Sequence, residues 1–301
     1  LGRKVQLKIV SDASSPDPVV TNYTNLITQD KVDIVFGPFS NLLTIPASRV
    51  PLRYNYSFIE PAGGGPKIFL ETNPNLLFVQ PAEATRGGDV FADYILALPA
   101  AQCPKTAAYA KLDDPFAAPI ADMTPVMSAI AATHPDVVVS GTQSVDAFAQ
   151  VKAMIQLKFS PKWLFMSNGA NSPTEFPSKV GANNTEGVFT SGYWYPGSTQ
   201  AGSTEFIAEY NALYGGDANS IDSTSAEAYS AGMLLEAVAK ATSKVDNATI
   251  IKTLHGGAWP TLVGNLSWDA YGTPQGEYLL TQWQKGILTT VFPADKAKST
   301  P

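Results

Sequence analysis

One cysteine, two histidines and 15% charged residues in a chain of 301 make a short supply of reactive groups. The lone thiol, Cys103, excludes an internal disulfide, and in Gln102-Cys103-Pro104 it reads as a half-buried thiol at a strand entrance. Two imidazoles, His134 and His255, are too few for a histidine-rich metal centre. A soluble domain usually carries about 25% charged residues. Here the net charge is −6, which leaves no basic face for nucleic acid or an anionic membrane surface. No apolar run reaches the ~18 residues of a membrane-spanning helix. The chain opens on Leu1-Gly2-Arg3-Lys4 with no secretory or lipid-anchor pattern, so any export signal is expected to have been removed.

Catalytic signatures are also missing. Gly37-Pro38-Phe39-Ser40-Asn41 lacks the second glycine of a nucleophile elbow. Gly63-Gly64-Gly65 lacks phosphate-loop spacing, and no dinucleotide fingerprint occurs. Asp113 and Asp114 are adjacent, so a strand would point them apart. Neither an enzyme nor a cofactor or metal is expected.

What is present is a globular pattern, 45% hydrophobic and 10% aromatic, on a length that suits about two domains. Val5 to Val10 alternates like a strand. Asp17 and Pro18 read as N-cap and first residue of a helix with Val19, Val20, Tyr23, Leu26 and Ile27 on its apolar stripe. Val32 to Phe36 reads as a parallel strand buried on both faces. A helix over Leu42–Val50, a strand at Ser57–Ile59 and a loop over Glu60–Pro66 follow. The rhythm continues with helices at Thr85–Leu98 and Pro125–Thr133, and strands at Thr106–Ala110, Val137–Ser140 and Trp163–Met166. Asp146 is expected to cap a helix carrying Phe148, Val151, Ile155 and Leu157, and later helices cover Glu205–Tyr214, Ser225–Ala241 and Ala248–Leu254. The tail, with Glu277–Trp283 and Thr289–Phe292, reads as antiparallel strands. Alternation of this kind predicts an α/β fold of two Rossmann-like lobes with parallel central sheets, whose ligands lie outside the carboxyl ends of the strands.

Several blocks carry a resemblance. They are Val5 with Asp12-Ala13 and Asp17-Pro18; Phe36-Gly37-Pro38 with Thr44-Ile45-Pro46-Ala47-Ser48; and Thr261 to Asp269 with Gly272, Gly276, Gln282-Trp283 and Gly286. In order and spacing the chain resembles the leucine/isoleucine/valine-binding group of type I periplasmic solute-binding proteins of ABC importers. The resemblance implies a clamshell that closes on a solute, with a three-crossing hinge near Leu98–Pro104, Thr190–Tyr195 and Gly276–Leu280. The implied lobes are residues 1–98 plus 194–276 and 99–193 plus 277–301. It further implies a small-molecule solute, a membrane permease as partner, a monomer, and residence in the periplasm or tethered outside the cytoplasmic membrane. The alternative is the ligand-sensing domain of a receptor or amide regulator on the same fold.

The same resemblance places the solute site at Phe39, Asn41, Ala62, Gly63, Gly64, Phe116, Gln143, Asn168, Tyr193 and Trp194. Ser14 and Ser40 stand where some members have a disulfide. Asn41 stands at a carboxylate-binding serine, Gly64 at a ligand-contacting threonine, and Phe116 at a tyrosine. Ser167 and Asn168 fall where a glutamate neutralises an amino acid's ammonium. An unpaired buried ammonium is expensive, so an amide or aromatic carboxylate is expected in place of an ordinary branched-chain amino acid. Blander roles stay open: Asn41 as a helix cap, the three glycines as a turn, Tyr193-Trp194-Tyr195 as packing. Glu60 reads as lying beside the implied cleft, with a solvent-facing position as the alternative, and is left outside the site. Against the family pattern, a first strand–helix unit ahead of Leu1 and roughly 25 residues near Asp122 are expected to be missing, together about 50 residues or two βαβ-sized pieces.

Overall fold

The computed structural model describes residues 2, 4–111 and 122–301. Its helices are α1 (Pro16–Thr28), α2 (Asn41–Tyr54), α3 (Asp89–Leu96), α4 (Thr124–Ala131), α5 (Ser144–Gln156), α6 (Glu175–Val180), α7 (Ser203–Tyr214), α8 (Ser223–Thr242) and α9 (Asn247–Leu254). Strands β1 (Val35–Phe36), β2 (Phe58–Glu60), β3 (Leu76–Phe78), β4 (Ala107–Lys111), β5 (Val137–Gly141), β6 (Trp163–Met166) and β7 (Phe189–Gly192) alternate with them. Strands β8 (Trp259–Thr261), β9 (Gly264–Leu266), β10 (Leu279–Gln284) and β11 (Ile287–Phe292) close the chain. Two compact units result: Leu1–Thr85 with Ser198–Phe206 and Thr224–Glu277, and Arg86–Gly197 with Ile207–Ser223 and Tyr278–Pro301.

In the first unit, β1, β2 and β3 run parallel in that order. Helices α1 and α2 bury Val19, Tyr23, Ile27, Leu43 and Ala47 in one cluster with Val35, Phe58 and Leu76 of the strands. Helix α1 starts two residues before the expected point, with Ser15 at the N-cap and Pro16 in the first turn. Proline's missing N–H costs nothing there, so Ser-Pro competes with Asp-Pro and wins. The expected strand at Val32–Phe36 shrinks to two residues, with Val35 buried and Phe36 exposed; among the described residues β1 pairs with β2 alone. Tryptophan anchors the C-terminal part of this unit: Trp268 Nε1 donates to Phe78 O at 2.7 Å. Gly272 and Gly276 lie where a Cβ would meet Leu76 O and Pro81 O, each at 2.8 Å.

The strand expected at Val5–Val10 is not formed. Val5, Leu7 and Ile9 are 97%, 70% and 83% exposed. Alternation specifies a strand only where a partner edge and a face to bury are available, and no described strand pairs with this segment. It is instead tethered by polar contacts, Lys8 Nζ to Asp30 Oδ1 at 2.5 Å and Asn22 Nδ2 to Ser11 O at 2.9 Å.

The second unit holds a sheet of six strands, ordered β11-β10-β7-β6-β5-β4. Strands β4 to β7 are parallel, and the tail strands β10 and β11 add antiparallel beside β7. Its core gathers Met127, Phe148, Val151, Met166, Phe176 and Trp283. In helix α5 the N-cap is Gln143 and Asp146 lies in the first turn, where a carboxylate favours the helix dipole. At the entrance to the sheet, the Lys105 and Thr106 N–H groups donate to Asp136 Oδ2 at 2.7 and 3.1 Å. Those bonds hold the Asp136 carboxyl below its ordinary value. Cys103 is half-buried, its thiol 3.6 Å from the carbonyls of Ile95 and Leu98. No helix among the described residues is long and apolar enough to cross a membrane.

Candidate functional site

The loops after β1 and β2 leave the sheet at the same end, and contacts between them build a platform. The β1 loop turns at Ser40, whose φ of 87° is unusual for a side-chain-bearing residue and costs on the order of 1–3 kcal/mol. That turn delivers the chain into α2. The N–H groups of Ser40, Asn41 and Leu42 donate to no described residue, whereas those of Leu43 and Thr44 bond Ser40 O. Free N–H groups at the start of a 14-residue helix present a positive end to an anion or a carbonyl oxygen.

The β2 loop locks onto this turn through its three glycines. At Gly63 (φ +106°) a Cβ would fall 2.6 Å from Ser40 N. At Gly64 it would lie 1.9 Å from the Phe78 ring, and at Gly65 2.1 Å from the Asn41 amide. Asn41 Oδ1 accepts the Gly65 N–H, so Asn41 fastens the two loops and does not cap the helix it begins. At Gly64, where the resemblance implies a threonine, the space for a side chain is filled by the buried Phe78 ring. The Ala62 carbonyl accepts no hydrogen bond from a described residue. Phe39, on the same turn, is 64% exposed.

Beneath the platform sits a residue that sequence reasoning left out. Glu60 is fully buried, which rules out the solvent-facing alternative. Its Oε1 accepts the Ala62 N–H at 2.8 Å, and its Oε2 lies 3.1 Å from Thr44 Oγ1. A Cβ on Gly37 would come within 1.8 Å of Oε2, so the glycine makes room for the carboxyl. Burial pushes Glu60 well above the ordinary glutamate value, offset in part by the Ala62 and Thr44 bonds, and the buried Glu227 of α8 adds repulsion. The signal available in sequence was position: a central strand of a parallel sheet is covered on both faces.

The second unit repeats the device at the carboxyl ends of β5 and β6. Thr142 N donates to Ser167 Oγ at 3.1 Å, and the Thr142 hydroxyl donates to Asn168 O at 2.8 Å. Gly169 (φ +85°) is pressed so that a Cβ would lie 2.8 Å from Ser144 Cα, in the first turn of α5. Gln143 is the exposed N-cap of α5, next to Thr142 in the chain, and Asn168 is half-buried with its carbonyl held by Thr142. Tyr193 and Trp194 follow β7 and are buried, Trp194 completely. Tyr193 packs its ring 6.2 Å from that of Tyr278. Phe116, with Asp113 and Asp114, lies outside the described residues. Among the described residues no cluster of three or more His, Cys, Asp or Glu is arranged to hold a metal ion.

Residues 99–287 match the family model described as periplasmic binding protein. Solved structures agree along the whole chain. A leucine-binding protein, LivK, from Thermotoga maritima is 16% identical with a TM-score of 0.80, covering 97% of this chain and 88% of its own. The branched-chain amino acid transporter substrate-binding protein LivJ from Streptococcus pneumoniae, in complex with isoleucine, is 16% identical with a TM-score of 0.82 (95% and 86% covered). An ABC transporter solute-binding protein from R. palustris, in complex with benzoate, is 17% identical with a TM-score of 0.76 (96% and 85% covered).

Proposed function

This chain belongs to the periplasmic binding protein family, and from that premise we propose that it is the extracytoplasmic solute-binding component of an ABC importer. It hands its solute to a membrane permease and works as a monomer without catalysis. The solute is a small polar or aromatic compound, best matched by an aromatic carboxylate or an amide. The observation that carries this reading is the platform of the first unit. Free N–H groups at the start of α2, the free Ala62 carbonyl and the exposed Phe39 ring offer polar fixing points beside an apolar face, the usual makeup of a small-molecule site.

Two similar proteins point to different solutes, isoleucine in one and benzoate in the other. The uncharged Ser167 and Asn168 favour the second class. Glu60 is buried beneath the platform, where burial pushes its carboxyl well above the ordinary value and disfavours the countercharge an ammonium would need. The other proposed contributors, Phe116, Gln143, Asn168, Tyr193 and Trp194, rest on the family resemblance.

A thermal-shift panel of leucine, valine, benzoate, aromatic amides and sugars tests the reading. A binder at 100 times its Kd is expected to add about 2.7 kcal/mol of stability. Benzoate or an amide is expected to raise the melting temperature while leucine and valine leave it unchanged. Tight calorimetric binding of leucine or valine, with the aromatic acids silent, would overturn the assignment.

A further inference from the structure

Thr44 of α2 poses a problem in hydrogen-bond bookkeeping. Its hydroxyl oxygen lies 2.9 Å from Ser40 O, 3.2 Å from Pro38 O and 3.1 Å from Glu60 Oε2. All three neighbours are acceptors if Glu60 is ionised, and a hydroxyl has one proton to give. The arrangement balances when Glu60 carries a proton. Its O–H then donates to Thr44 Oγ1, Thr44 donates to Ser40 O, and Glu60 Oε1 keeps the Ala62 N–H.

We propose that Glu60 is the positioning residue of the solute platform and acts as a neutral acid, the chain Ala62–Glu60–Thr44–Ser40 fastening the two loops, so that loss of its proton as pH rises loosens them. The proposal rests on the reading of these loops as the solute site, since only then does their fixation matter to function. Geometry makes the carboxyl hard to replace or move. It is fully buried on the central strand β2, and the bare Cα of Gly37 closes the space beside it.

Among the charged and titratable groups around it, Glu227 of α8, itself buried, disfavours a negative charge on Glu60. Tyr23 of α1 donates its hydroxyl to Phe36 O and is itself held in the neutral phenol form, by burial first and then by Glu60 and Asp12. No cationic side chain among the described residues is paired with Glu60.

The sign of the pH effect follows from linkage. Below about pH 4.5 Glu60 is protonated in both the folded and unfolded chains. Above it the unfolded chain releases the proton and the folded chain keeps it, so stability falls with rising pH until the folded carboxyl itself ionises. Each pH unit in that window lowers the folding constant about tenfold for one proton. Glu60→Gln mimics the neutral acid, since its amide N–H donates where the acid O–H does, and it has no proton to lose.

The experiment is urea unfolding of the wild type and E60Q from pH 4 to pH 9, with amide hydrogen exchange over residues 58–70 compared at each pH. No solute is added, so the result is independent of the solute panel. The two proteins are expected to be equally stable near pH 4. The variant is expected to gain about tenfold in relative folding constant per pH unit above that, with loop protection, corrected for the intrinsic rise of exchange with pH, falling at high pH in the wild type alone. E60L, which fills the volume without the bonds, is expected to exchange fast in this segment at every pH. Parallel stability curves for wild type and E60Q, or an E60Q protein that weakens as pH rises, would overturn the proposal. Failure of the solute panel with divergent curves would remove the importer reading and leave the acid's role standing.

Discussion

Gly64→Thr is expected to destabilise the protein by at least about 3 kcal/mol, at the upper end of overpacking costs. The new Cβ would fall 1.9 Å from the Phe78 ring, which is fully buried. Neither partner has an easy retreat. Gly64 O accepts the Ala84 N–H at 2.7 Å, and Phe78 sits on β3 with its own carbonyl held by Trp268. Restoring the hydroxyl that the family resemblance places here therefore requires removing the ring as well. Phe78→Ala alone is expected to cost about 3–5 kcal/mol through the cavity it leaves. In the double variant the threonine partly fills that cavity, so the combined loss is expected to fall short of the sum by about 1–3 kcal/mol. Urea midpoints of the four proteins complete the cycle. Additive losses would mean that the ring and the glycine are independent.

The second large effect is expected at Trp283. Truncation to alanine removes a side chain with 1% exposure from the core of the second unit, where such losses run to about 3–5 kcal/mol. It also strips the Ala170 carbonyl of the indole N–H that reaches it at 2.8 Å, leaving a buried acceptor unsatisfied. Trp283→Phe separates the two contributions. It keeps a ring against Phe176, whose centroid lies 5.9 Å away, and loses only the donor and part of the volume. An intermediate loss of about 1–3 kcal/mol is expected for it. Equal unfolding midpoints for the alanine and phenylalanine variants would show that packing contributes nothing there.

Long periodic elements were legible in the sequence because they answer to one rule at a time. Helices α2, α5 and α8, and strands β5 and β6, follow from apolar spacing and from turn residues at their ends. Strand β3 was missed because Leu76-Leu77-Phe78 is too short to show a period. Helix α6 was missed for the same reason, with only six residues and an internal proline. Val5–Val10 carries a clear period but no partner edge, and pairing is a property of the neighbour, not of the segment. The site shows the same division. Asn41 and the glycines were placed at the site by resemblance alone, whereas the bond that joins them spans 24 residues of chain that no local pattern encodes. The exposure of Glu60 stayed open because its burial depends on β1 and β3 flanking β2 on both sides.

The two units arrive at one mechanical solution, a positive-φ glycine seated against the first turn of the neighbouring helix, Gly63 on Ser40 and Gly169 on Ser144. Such a seat has no spare volume, so these loops admit almost no sequence drift at the glycines themselves. The exposed positions that border the seats, Phe39 in one unit and Gln143 in the other, are free of that constraint. For an engineer, those two are the places to randomise, and the glycines are the places to leave alone.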